Sequence, residues 1–117
     1  MEKHYQYLII FVLFILCSCQ RTGEIKIQNN IHNTRMSEIS FGEYHLYDVL
    51  LPGETSDYFA IRDFKSHWPK KNKLEFYLEA NNRRVYLKTK QEYILDYDDK
   101  LYIVIWDTTE VYNPLSD

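Results

Sequence analysis

The hydrophobic pattern divides the chain in two. Residues 8–16, LIIFVLFIL, form an unbroken apolar run. After residue 23, apolar and polar positions alternate with a period of two, as expected of strands with one buried and one wet face. Residues 24–28 put Ile25 and Ile27 on one side, and residues 38–41 do the same with Ile39 and Phe41. Gly42-Glu43 interrupts this second stretch, and residues 44–51 continue it, which predicts one strand that bulges or bends at Gly42. Residues 29–34 are rich in side chains that bond their own backbone, and Pro52-Gly53 supplies a fixed φ followed by a residue tolerant of positive φ. The pattern then predicts a strand over 58–64, a loop over 65–73, a hairpin of 74–80 with 85–90, and a short extended piece over 93–97. A turn at Asp98-Asp99, a strand over 101–107 and a short edge strand over 110–112 follow. No stretch after residue 23 has helical periodicity. About seven short strands separated by turns predict an all-β fold, a small antiparallel β-sandwich over residues 24–117.

The hairpin is the most constrained element. If Asn81-Asn82 is a two-residue turn, which asparagine permits because it tolerates positive φ, residue 80 faces 83. Leu78 then meets Val85 and Phe76 meets Leu87 on one face, while Glu79 meets Arg84, Tyr77 meets Tyr86 and Glu75 meets Lys88 on the other. Apolar residues face apolar ones, and opposite charges flank a tyrosine pair, each pair contributing about 0.2–1 kcal/mol.

The apolar run is about half the roughly 20 residues that a membrane-spanning helix requires, so it reads as the helical core of an export signal. It ends in Leu16-Cys17-Ser18-Cys19. This segment resembles the lipobox of bacterial lipoproteins, with Leu16 three residues before the modified cysteine, Cys17 in the tolerant position and Ser18 as the small residue. The resemblance implies a diacylglycerol thioether on Cys19 and cleavage between Ser18 and Cys19. The precursor then divides into a signal peptide over 1–18, a lipidated cysteine with a short tether over 19–23, and the domain over 24–117. Several acyl chains, at about 0.8 kcal/mol per buried methylene, anchor a protein stably to a membrane. Gln20, standing where an aspartate would retain such a protein at the inner membrane, implies the outer membrane. The stretch 50–58, LLPGETSDY, resembles the strand–turn–strand of immunoglobulin-like or prealbumin-like sandwich domains in bacterial envelope lipoproteins.

Composition narrows the function. A chain of 117 residues leaves room for one domain after the signal, enough to fold without a disulfide or metal. A net charge of −3 lacks the basic face of a nucleic-acid binder, and three glycines are too few for a phosphate-cradling loop. The run Asp96-Tyr97-Asp98-Asp99 fails as a calcium loop, because Leu101 falls where the glycine belongs and Asp107 where the bidentate glutamate belongs; it reads as a turn. His32, His45 and His67 share no ligand spacing, and no local Ser/His/Asp motif occurs. Neither a metal site, a cofactor nor a catalytic residue is therefore expected.

Two features point toward binding. Lys65, Lys70, Lys71 and Lys73 surround Trp68 in an otherwise acidic chain, a composition suited to anionic headgroups, acidic glycans or an acidic protein patch. Tyr77, Tyr86 and Tyr102 fall on outward-alternating positions and are expected to form an aromatic platform, of the kind sugars and proteins both favour. The sequence thus predicts a non-enzymatic binding or accessory module of the bacterial envelope. Its mature domain is expected to be monomeric, tethered to the membrane through Cys19, with an envelope protein or glycan as partner and no nucleic acid. An inhibitory or structural lipoprotein acting on another envelope protein is the alternative, followed by an envelope hydrolase with a spatially assembled site.

Overall fold

A computed structural model describes residues 20–116; the predicted signal helix and Cys19 lie outside the described residues. Eight strands form two sheets: β1 (Gln20–Asn30), β2 (Arg35–Phe41), β3 (Tyr44–Leu50), β4 (Phe59–Phe64), β5 (Lys70–Ala80), β6 (Arg83–Leu95), β7 (Lys100–Trp106) and β8 (Val111–Tyr112). One sheet has the order β4-β1-β7 and the other β3-β2-β5-β6-β8. Their inner faces share one core, with Ile25, Ile27, Ile61, Ile103 and Ile105 from the smaller sheet against Met36, Phe41, Leu74, Phe76 and Leu95 from the larger. The fold is an all-β sandwich, as the alternation predicts. All pairings are antiparallel except β1 with β7, which run parallel from Glu24/Lys100 to Asn30/Trp106.

The β5–β6 hairpin has the predicted register throughout, from Ala80/Arg83 to Glu75/Lys88. Asn81 and Asn82 adopt φ of 53° and 62°, the double left-handed pattern of a type I′ turn. Leu51-Pro52-Gly53-Glu54 turns as expected, with Gly53 at φ 83° and the Glu54 N–H donating to the Leu51 carbonyl at 2.9 Å.

Four expectations are corrected. Gly42-Glu43 reverses the chain instead of bending one strand, since Phe41 pairs with Tyr44 and Gly42 has φ 61°, a conformation that glycine supplies without cost. The segment 65–73 is not a loop: a 3-10 turn over Lys65–His67 is followed by Trp68-Pro69, and β5 has already begun at Lys70. The pieces 85–90 and 93–97 belong to one strand, which passes a register shift at residues 73–75 of its partner. There Thr89, fully buried, accepts the otherwise unpaired Leu74 N–H at 3.0 Å and donates to the Gln91 carbonyl at 2.9 Å. Finally, β1 starts at Gln20, and residues 20–23, expected as tether, pair with Phe64, Asp63, Arg62 and Ile61 of β4. Gly23 makes this fit possible: a Cβ there would stand 2.9 Å from the Trp68 indole and 2.9 Å from the Asp96 carbonyl.

Candidate functional site

The sandwich separates the lysines predicted to form a patch. Trp68 is buried, its Nε1 donating to the Asp63 carbonyl at 3.3 Å. Lys70 turns inward and pairs with Asp63 across the two sheets, its Nζ 5.6 Å from the Tyr44 ring and 5.4 Å from that of Trp68. Lys73 donates to the Tyr112 hydroxyl at 3.2 Å. Lys65 lies on the 3-10 turn with its Nζ 5.8 Å from the Tyr97 ring, and Lys71 is exposed on β5. The five residues form no single surface, because strand alternation sends Lys70 and Lys71 to opposite faces.

The tyrosines separate too. Tyr77 and Tyr86 meet as predicted, ring centroids 5.1 Å apart, on the outer face of the larger sheet. Arg84 stacks on Tyr77 at 3.8 Å and bonds Glu79 at 3.0 Å and Glu38 at 3.1 Å, while Arg35 and Ser37 also hold Glu79. Tyr86 donates to Glu75 at 2.7 Å, and burial together with that carboxylate pushes its hydroxyl up to about 12. The polar groups around this pair are already satisfied by one another, so the face is a self-contained network. Tyr102 stands on β7 in the other sheet and belongs to a different surface.

That second surface holds what the sequence reading missed. Tyr102, Val104 and Trp106 alternate outward along β7 while Ile103 and Ile105 point into the core. Tyr102 donates to Gln28 Oε1 at 2.6 Å, and Lys26 Nζ lies 4.9 Å from the ring centroids of both Tyr102 and Tyr58. Trp106, 53% exposed, ends the row and walls a recess of about 400 Å³ with Asn30, His32, Asn33, Gly53 and Asp107.

Asn29 builds that recess from below. Fully buried, it donates through Nδ2 to the carbonyls of Thr34 at 2.8 Å and Leu50 at 3.0 Å, and its Oδ1 accepts the Ile31 N–H at 3.1 Å. Its backbone accepts from Gly53 at 2.6 Å and donates to Glu54 at 3.0 Å. One residue thereby fixes the 30–34 segment and the Pro52-Gly53 turn, which are opposing walls. Asp107 Oδ1 accepts the His32 N–H at 2.9 Å, and the Trp106 N–H donates to Thr109 Oγ1 at 2.8 Å, so the aromatic wall is held by its own turn. The result is a preformed polar recess with one large exposed ring at its rim, in line with Tyr102. No group of three or more potential metal-ligating side chains occurs among the described residues. No family model, curated protein or solved structure matches the chain.

Proposed function

We propose that the chain is a lipid-anchored, non-enzymatic binding module of the bacterial envelope, attached through Cys19, and that it binds glycan at the recess beside Trp106. One observation carries the choice of site: Trp106 combines a half-exposed ring with a recess lined by residues that bear amide, imidazole and carboxylate groups. A sugar presents a flat apolar face for such a ring and hydroxyls for such groups. The exposed Tyr102, four residues back on the same face, extends the ring surface for a chain of more than one sugar. Export and anchoring rest on the lipobox resemblance at residues 16–19. With Gln20 following the cysteine, the outer membrane is the proposed address.

The test is titration of the purified lipoprotein with soluble envelope glycan fragments, read by tryptophan emission. Trp68 is buried and Trp106 exposed, so the responsive signal belongs to Trp106. Trp106→Ala, titrated by calorimetry alongside the unsubstituted protein because it lacks the reporting indole, should weaken binding at least about tenfold, the scale of a central aromatic anchor, with unchanged melting. Equal binding by the variant excludes this recess.

A second reading has its own support. Among the described residues the far edge of β7 has no strand partner, and residues 101–106, LYIVIW, carry no charge. A protein partner adding a strand there would use the same exposed row. Val104→Lys should abolish strand addition while leaving the recess intact.

A further inference from the structure

The proposed anchor and the first strand are adjacent: the described structure begins at Gln20, one residue after Cys19, and Gln20 is already paired with Phe64 in β4. A lipid on Cys19 would therefore hold the sandwich by the end of a strand, with no flexible spacer. The end so held has a distinct shape and chemistry. Strand β7 begins beside Glu24, so residues 20–22 with 62–64 form a two-stranded tip that extends past the rest of the smaller sheet. The acidic turn over 96–99 abuts the base of this tip: the Asp98 N–H donates to the Thr22 carbonyl and the Tyr97 ring lies 5.8 Å from Lys65 Nζ, while Asp99 accepts the Glu24 N–H further along β1.

The tip presents Phe64, 48% exposed, followed by exposed Lys65, Ser66 and His67, with exposed Arg62 alongside. Asp63, the sole carboxylate of residues 20–22 and 62–67, is taken up by Lys70 and His67. An exposed ring beside unneutralised Arg62 and Lys65 matches the boundary between anionic headgroups and acyl chains. We infer that this tip is a second membrane contact, with Phe64 seated at the headgroup–acyl boundary and Lys65 and Arg62 against anionic headgroups. Resting on the lipid-anchor reading, this contact fixes the orientation of the sandwich. Trp106 and its recess, at the opposite end of β1 and β7, then face away from the membrane.

The test uses the full chain made in a bacterial host, purified in detergent and reconstituted into vesicles of phosphatidylethanolamine and phosphatidylglycerol. Under the anchor reading Cys17 leaves with the signal and Cys19 is acylated, so an added cysteine is the only thiol. Ser66→Cys at the tip and Asn82→Cys at the opposite turn are labelled with an environment-sensitive fluorophore, with Lys65→Cys as a second tip reporter. Label at residues 66 and 65 should emit at shorter wavelength and be quenched by lipid-borne nitroxide several-fold more than label at residue 82. Adding Phe64→Ser to Ser66→Cys should remove most of that contrast. Equal quenching at both ends overturns the membrane contact. The unsubstituted chain, treated in parallel, should take up no label; uptake there overturns the anchor reading itself, and so distinguishes the two failures.

Discussion

The side-chain amide of Asn29 crosses the sandwich to the carbonyl of Leu50, 3.0 Å away, and so ties the end of β1 to the end of β3. The same nitrogen bonds Thr34, and the Oδ1 bonds Ile31. Asn29→Ala leaves these backbone groups without partners in a dry site and should cost about 2–4 kcal/mol. Asn29→Asp keeps the shape but turns a carboxylate oxygen toward two carbonyls. Burial and repulsion raise the pKa of that group in the folded state, so the loss should be largest at neutral pH and shrink as pH falls through the raised value. Urea denaturation at several pH values checks both. Because Asn29 also fixes both walls of the recess, the proposed glycan binding should weaken in Asn29→Ala under conditions where the protein remains folded.

Thr89 carries a comparable load at the register shift between β5 and β6. Thr89→Val matches its volume but removes the acceptor for the Leu74 N–H and the donor to Gln91. It should destabilise by about 1–3 kcal/mol, whereas Thr89→Ser, which keeps the hydroxyl, should cost less than Thr89→Val. Amide hydrogen exchange at Leu74 should accelerate in the valine variant alone.

Gly23 tests the docking of β1 against Trp68. A methyl at residue 23 meets the indole and the Asp96 carbonyl, each at 2.9 Å. Gly23→Ala should therefore cost about 1–3 kcal/mol through overpacking, and its effect should fall in part in a Trp68→Leu background, which removes the ring but leaves the Asp96 carbonyl in place. A double-mutant cycle in chemical denaturation measures that coupling.

How much was legible depends on where each residue's partner lies. The β5–β6 register could be read because the Asn81-Asn82 turn and the facing charges Glu79/Arg84 and Glu75/Lys88 are local and mutually consistent. The start of β1 could not, since Gln20-Arg21-Thr22-Gly23 is polar and becomes a strand only by pairing with β4 some forty residues on. Lys70 and Asn72 read as loop residues because they are polar at inward positions, yet Lys70 is balanced there by Asp63 from the opposing sheet. The parallel pairing of β1 and β7 leaves no local signature at all. Trp106 had a signal in the sequence, the outward alternation of Tyr102, Val104 and itself, but the recess beside it depends on Asn29 contacts that only the fold assembles.

Acid should unfold the domain through identifiable carboxylates. Lys70, His67 and the Phe64 N–H hold Asp63 well below the usual carboxylate range, and Arg35 with Ser37 holds Glu79 down. Burial pushes Glu75 up, but hydrogen bonds from Lys88 and Tyr86 outweigh it and leave the group lowered. A carboxylate with a lowered folded pKa stabilises fully above its unfolded pKa, and that stabilisation is lost as pH falls toward the folded value. The urea midpoint should therefore be nearly flat from about pH 7 to pH 5 and decline below about pH 4.5, near the unfolded carboxylate range. Asp63→Asn should lower the plateau and make the acid decline shallower. An unchanged slope would mean that the Asp63–Lys70 pair contributes nothing to acid sensitivity.

The final prediction separates the two faces of one strand. Phe76 is fully buried and packs in the core, whereas Tyr77 lies outward between Arg84 and Tyr86. Phe76→Ala should cost about 3–5 kcal/mol. Tyr77→Ala loses a ring contact and a cation–π contact at a partly exposed site, and should cost about 1–2 kcal/mol. In a cycle with Tyr86→Ala, the tyrosine pair should couple by about 0.5–1.5 kcal/mol. Leu78 shares the inward face of Phe76 but is only partly buried beside a crevice of about 100 Å³, so Leu78→Ala should fall between the two neighbours. If Tyr77→Ala proved as costly as Phe76→Ala, the outer face of the larger sheet would have to be covered. The self-contained network of Glu75, Glu79, Arg84 and Lys88 argues against such a cover, because docking over it would strip water from charges that already satisfy one another.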